Sequence, residues 1–181
     1  IDPSSGKKTG DDCTIEHHNV IDATPIFDEV ESGTFTPLEV IRRALAMGMR
    51  NNTRLICVED VAYQGTLLFW FGHICRSEGI SGFHFMPVSP KNQAKNNRIK
   101  KGILKFIKGE AYLGPKVRSI YISQALDWNP LKTDNVDDVI DPPGYYDEVM
   151  EKYPEYIVKN TFDSDEYAGT AAHEADLSLP F

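Results

Sequence analysis

Apolar positions along this chain recur at two spacings, and the switches between them mark out its elements. Leu55-Ile56-Cys57-Val58 is a continuous apolar run with two β-branched members. It predicts a short strand buried on both faces, and it ends abruptly on Glu59-Asp60. Upstream, Cys13–Ile21 and Pro25–Val30 hold two antiparallel strands, turned at Asp22-Ala23-Thr24. The first carries Glu16, His17, His18 and Asn19 at its middle. Successive strand residues point to opposite faces, so the two histidines do not share a metal.

Thr36-Pro37-Leu38-Glu39 predicts a helix start: a capping threonine, proline at the first position, glutamate at the third. Leu38, Ile41, Leu45 and Met49 follow at helical spacing. Beyond the buried strand, Gly65 to Glu78 predicts a helix ending at Gly79, with Phe69, Trp70 and Phe71 assigned to the core. His84–Val88 predicts a strand and Gln93–Gly109 an amphipathic helix with Ile99, Ile103, Leu104 and Ile107 as its stripe. Ala111–Leu113 is a strand stub and Lys116–Trp128 a further helix. Asp134 caps another helix reaching Asp141, which Pro142-Pro143-Gly144 breaks before helix resumes from Tyr145 to Tyr153. Residues 161–181 read as a polar, irregular tail.

Three strands in succession, then alternating helices and strands, predict an α/β fold: a mixed sheet, a three-strand meander followed by parallel strands, with helices on both faces. A chain of 181 residues, 41% apolar and 25% charged, suits one soluble domain. No apolar run is long enough for a membrane helix, and no basic-then-apolar leader is seen. Cys13, Cys57 and Cys75 form no CxxC pair, which points to a reducing compartment. Ile1-Asp2-Pro3 reads as the end of a strand, so the sequence is expected to be a piece of a longer protein.

The net charge of −8 argues against nucleic acid until its distribution is considered. Between Lys91 and Arg118 nine basic residues stand with Glu110 as the one acid, whereas from Asp127 onward fourteen acids stand against Lys132, Lys152 and Lys159. That asymmetry predicts a basic binding face beside an acidic pole, or a solvated basic helix.

Asp2, Glu59 and the Asp137/Asp138 pair are the acids placed where chemistry collects, at strand ends and near a helix start. Carboxylates are natural ligands for Mg²⁺ or Mn²⁺, and two such ions cleave phosphodiesters. On a helix, Asp138 and Asp141 would share a face. Asp2 before Pro3 also suits a turn, and Asp137 and Asp138 also suit a helix dipole. Glu59 has no comparable structural use, because a lone carboxylate ending a buried strand is costly.

Several short motifs occur in order: Ile1-Asp2-Pro3-Ser4 with Gly6 and Asp11-Asp12, then Val58-Glu59-Asp60-Val61-Ala62-Tyr63-Gln64-Gly65. Pro90, Lys95 and Arg98 lead into the basic helix, followed by Gly109-Glu110-Ala111-Tyr112-Leu113 and Asp137-Asp138-Val139-Ile140-Asp141. With this spacing the chain resembles the C-terminal nuclease domain of the large terminase subunit of tailed phages, the DNA-packaging motor. The resemblance implies an RNase H-like nuclease domain over residues 1–153, with residues 154–181 as a tail. It implies an endonuclease that cuts concatemeric viral double-stranded DNA at the start and end of packaging, using two Mg²⁺ or Mn²⁺ ions. Asp2, Glu59 and Asp138 take the catalytic metal-ligand positions, with Asp137 and Asp141 as supporting ligands and Lys91, Lys95, Arg98 and Lys101 as DNA contacts. Implied partners are an upstream packaging ATPase domain, the portal and the small terminase subunit, in host cytoplasm at the procapsid.

The chain departs from the family pattern at Pro142-Pro143, directly after the last acid. Gly6-Lys7-Lys8-Thr9 lacks the second glycine of a phosphate-binding loop, so this chain alone is expected to cut DNA without translocating it. Other RNase H-like nucleases, such as a junction resolvase or a hybrid hydrolase, and a non-catalytic DNA- or portal-binding module, are the alternatives.

Overall fold

A computed structural model describes residues 1, 12–21, 23–59, 64–89 and 93–154. Strands β1 (Cys13–Ile21) and β2 (Thr24–Gly33) form an antiparallel hairpin with a bulge between His17 and His18. Helix α1 (Pro37–Arg50) starts as the sequence predicts: the Glu39 N–H donates to Thr36 Oγ1 at 3.4 Å, and the Thr36 N–H donates to the Glu39 carboxylate at 2.8 Å. Strand β3 (Leu55–Glu59), helix α2 (Gln64–Glu78) and strand β4 (His84–Val88) complete a crossover in which β3 and β4 pair in parallel. Helix α3 (Lys95–Ile107), strand β5 (Tyr112–Leu113) and helix α4 (Arg118–Asp127) follow. β5 lies parallel to β2. A 3₁₀ turn, Pro142–Tyr145, leads into α5 (Tyr146–Lys152).

The fold is therefore the mixed α/β class expected, with parallel and antiparallel pairs and two helical layers. One core joins α1 and α2 to β1 and β3; Leu45, Phe71 and Val58 are sealed within it. The other joins α3 and α4 to β2 and β5 around Phe27, Ile99, Tyr121 and Val139. No helix among the described residues is long and apolar enough to cross a membrane.

Three expectations shift in detail. Among the described residues the strands form two sheets, β1-β2-β5 and β3-β4. The first member of the meander is represented by Ile1 alone, which pairs with β3: its nitrogen donates to the Cys57 carbonyl at 2.8 Å, and its carbonyl accepts from the Glu59 N–H at 3.1 Å. The aromatic run splits, with Phe71 buried and Phe69 and Trp70 exposed beside His73. The segment from Asp134 to Asp141 forms no helix. It is irregular and then turns, held by Asn135, whose side chain bonds the Asn129 N–H at 2.9 Å and carbonyl at 2.8 Å.

Burial drives the Cys57 thiol up to about 11, so only about one thiol in a thousand is ionised at pH 8. Alkylation of Cys57 in the folded protein is expected to be slow at pH 8 and to rise about tenfold per pH unit below that value. Peptide mapping of a timed iodoacetamide reaction reads this; labelling as fast as in urea would contradict the burial.

Candidate active site

Glu59 ends β3 with its side chain buried, and the cation it requires comes from α3. Arg98 lies on the buried face of that helix, 5% exposed, with Nη2 3.8 Å from Glu59 Oε1. The Tyr145 hydroxyl donates to the same Glu59 oxygen. Arg98 grips Asp141 with two hydrogen bonds, Nε to Oδ1 at 2.7 Å and Nη2 to Oδ2 at 2.6 Å, and lies over the Tyr145 ring at 4.6 Å. Three residues earlier on α3, Lys95 pairs with Asp137 at 2.6 Å. The 95/98 spacing puts both cations on one helix face.

The opposing side chains come from the turn between α4 and α5. The Ile140 and Asp141 N–H groups both donate to the Asp137 carbonyl at 3.1 Å, and the Gly144 N–H donates to the Asp141 carbonyl at 3.0 Å. Val139 and Ile140 anchor the turn in the second core, and the Val139 N–H donates to Gln124 Oε1 at 2.9 Å. Asp137, Asp138 and Asp141 are all buried there.

Glycine lets α3 and the turn approach this closely. A Cβ on Gly144 would lie 2.6 Å from the Arg98 carbonyl oxygen and collide with Arg98 Cγ, whereas one on Gly102 would meet Pro143 Cβ at 3.2 Å. Gly144→Ala is expected to cost about 1–3 kcal/mol by overpacking, and Gly102→Ala less. Urea melts of the two variants rank them; an equal or reversed order would show that the turn is free to move away.

Burial opposes the Arg98 charge, but Asp141 outweighs it and holds the guanidinium pKa above its usual value. Burial pushes the Asp141 carboxyl up against the pull of Arg98. Burial, then the Glu59 acceptor, raises the Tyr145 hydroxyl far above its usual range, so it donates and does not ionise. Four buried carboxylates on β3 and the turn (Glu59, Asp137, Asp138, Asp141) thus gather beside Arg98 and Lys95 of α3. Their hard oxygen donors suit a divalent cation. Among the described residues, however, no three His, Cys, Asp or Glu side chains are gathered closely enough to hold one. Asp141, with both oxygens on Arg98, is engaged as a counter-ion. Glu59 and Asp138 are the expected catalytic ligands that lie among the described acids, and Asp2 and Lys91 lie outside the described residues.

Two sequence expectations need correction. Asp138 and Asp141 share no helix face, because prolines 142 and 143 and the packing of Val139 and Ile140 impose a turn. Arg98 is no open phosphate contact but an internal cation, made tolerable by a partner 43 residues away. Lys101 pairs with Asp147 at 2.8 Å, as Lys105 does at 2.6 Å, beside a shallow groove that Asn97, Lys100 and Lys108 also line. Sequence reasoning missed Tyr145; the only hint was its place after Pro142-Pro143-Gly144, a stretch suited to close packing.

No family model and no curated protein matches the sequence. Among solved structures the chain is similar to the crystal structure of the yeast mitochondrial Holliday junction resolvase Ydc2, at 12% identity and a TM-score of 0.42, over 75% of this chain and 74% of that one. At that identity and score the likeness assigns neither family nor activity.

Proposed function

We propose that this chain is an RNase H-like nuclease domain that hydrolyses DNA phosphodiesters with Mg²⁺ or Mn²⁺ at Glu59. The observation carrying the reading is the buried acidic end of β3. Glu59 is oriented by Tyr145 and backed by Arg98, facing a turn that contributes three more buried carboxylates. Carboxylates at a site repel a phosphate backbone unless a cation is taken up there, and basic residues alongside supply the attraction.

Glu59 and Asp138 would hold metal, with Asp2 a further ligand; Asp2 follows directly on Ile1, whose backbone is tied to Cys57 and Glu59. A divalent ion held there would supply an acidified water and a charge to stabilise the leaving oxygen. Tyr145 fixes the Glu59 carboxylate in one orientation. Arg98 offsets the charge of Glu59 and neutralises Asp141, and Lys95 neutralises Asp137.

The terminase assignment of this nuclease, with its portal, small-subunit and ATPase partners, rests on the short motifs in the sequence. Supercoiled plasmid incubated with the chain and Mn²⁺ or Mg²⁺ tests the general reading, and nicking is expected. An intact plasmid with either metal would refute it. Plain duplex, a four-way junction and an RNA–DNA hybrid offered in parallel separate the substrate classes, and preference for duplex is the terminase outcome.

Two exposed lysines, Lys100 on α3 and Lys108 at its C-terminal cap, line the groove beside the helix that carries Lys95 and Arg98. Changing both to alanine is expected to weaken DNA binding and to lower the salt slope by about 0.9 for each phosphate that is no longer neutralised. Anisotropy titrations across a salt series measure it, and an unchanged slope would move the DNA path off this groove.

A further inference from the structure

Lys101 and Lys105 stand one turn apart on α3, so their side chains share a face of the helix. Both reach the same carboxylate, on α5. Lys101 Nζ lies 2.8 Å from Asp147 Oδ2, and Lys105 Nζ lies 2.6 Å from Asp147 Oδ1. Each oxygen thus takes one ammonium group. Partial burial of Asp147 favours its neutral form, but the two lysines outweigh it and hold the carboxyl below its usual range. The Lys105 side chain is 15% exposed, with its ammonium 6.0 Å from the centre of the Tyr146 ring. The pair borders a shallow groove of about 330 Å³, which Lys100 and Lys108 also line, with Glu110 as its other acid.

The contact has the chemistry of a phosphodiester site. A carboxylate and a phosphodiester each present two oxygens that share one negative charge, and a lysine ammonium meets either as a compact point charge. Exposed ion pairs contribute little to stability and are screened by salt. The Asp147 side chain is 43% exposed, so it is free to give way to a competing anion. The lysines keep their place when it does, because the close approach of Gly102 to Pro143 holds α3 against the chain leading into α5. The groove also has a register with the acidic site. Arg98, beside Glu59, and Lys105 are seven residues apart, or roughly 10 Å along the helix axis. A DNA strand running along α3 advances about 3.4 Å per phosphate, so about three phosphates separate the two points.

We propose that Lys101 and Lys105 form the seat of one backbone phosphodiester of bound DNA, and that Asp147 occupies this seat in the free protein. The choice of DNA as the ligand rests on the nuclease reading. An incoming phosphate exchanges with a carboxylate of equal charge, so binding at the seat gains no net neutralisation. Asp147 therefore weakens the hold on DNA and makes it less dependent on salt.

Anisotropy titrations of a labelled duplex in EDTA, across a salt series and with the full chain, test this. Asp147→Asn is expected to bind about tenfold more tightly at about 0.1 M salt. Its salt slope is expected to steepen by about 0.9, the change for one further phosphate neutralised. Adding Lys101→Gln and Lys105→Gln to that variant is expected to abolish the gain. Glu151→Gln removes the same charge from an exposed position further along α5, and is expected to change the slope far less. Unchanged affinity and slope in an Asp147→Asn chain shown by its Tm to be folded would overturn the seat, leaving Asp147 a fastener between α5 and α3. An equal gain from Glu151→Gln would also overturn it, because net charge alone would then account for the effect. Binding is read without cleavage, so a chain that nicks plasmid yet gains nothing from Asp147→Asn rejects the seat and keeps the nuclease.

Discussion

Glu59→Gln is expected to reduce DNA nicking by on the order of 10²–10³-fold or more, the scale lost when one group stabilising transition-state charge is removed. The substitution is nearly isosteric and keeps a carbonyl oxygen for the Tyr145 hydroxyl to donate to. Arg98 keeps its two hydrogen bonds to Asp141, so no buried cation is stranded. Stability should therefore stay within roughly 1 kcal/mol of the parent, the scale of one ordinary hydrogen bond. That separation makes the variant informative: plasmid nicking and a urea melt on the same preparation show whether activity is lost without unfolding. Nicking at the parental rate by a folded Glu59→Gln chain would remove Glu59 from the chemistry and leave the cluster a structural ion network.

The residues legible in the sequence are those whose partners are local. The Thr36–Glu39 capping box spans a single helical turn and is found as expected, and the run at Leu55 to Val58 forms the expected strand, with Ile56 and Val58 buried but Leu55 and Cys57 only half-buried. Errors arise where a partner lies far along the chain. On α3, periodicity places the apolar stripe over Ile99, Ile103, Leu104 and Ile107, yet Leu104 and Ile107 are exposed while Arg98, Ile99 and Gly102 are buried. The buried stripe is rotated toward Arg98 because Asp141 neutralises it and because Gly102 and Gly144 allow the turn to come close. Likewise, on α1 Met49 points outward and Gly48 inward, where a Cβ would meet Phe83 at 2.7 Å. Periodicity counts hydrophobic side chains and has no means of registering a glycine contact or a paired charge. The charge asymmetry does locate the helix that faces the acids; it cannot show which cations are internal.

Arg98→Met is expected to cost about 3–5 kcal/mol, the penalty for leaving one member of a buried ion pair without the other. At about 2–4 °C for each kcal/mol in a chain of this size, the loss is large in a thermal melt. Methionine fills much of the volume, so the cost arises chiefly from Asp141, 1% exposed, which would keep its desolvation and lose the guanidinium that offsets it. Its carboxyl would then rise further above the unfolded value. With the folded state holding the proton more tightly than the unfolded one, stability falls as pH rises from the unfolded pKa through the folded one. The deficit relative to the parent should therefore be greatest near neutrality and shrink as pH drops toward about 4, the ordinary carboxylate range, provided that the parent is measured alongside. A second change, Asp141→Leu, removes the stranded charge, and the double variant should recover most of the stability, since apolar replacement of a buried pair is often neutral. It should recover little activity, because the guanidinium beside Glu59 remains missing. Destabilisation that is the same in acid as at neutrality, or a double variant no more stable than Arg98→Met, would show that Arg98 acts through packing against the Tyr145 ring and not through its charge.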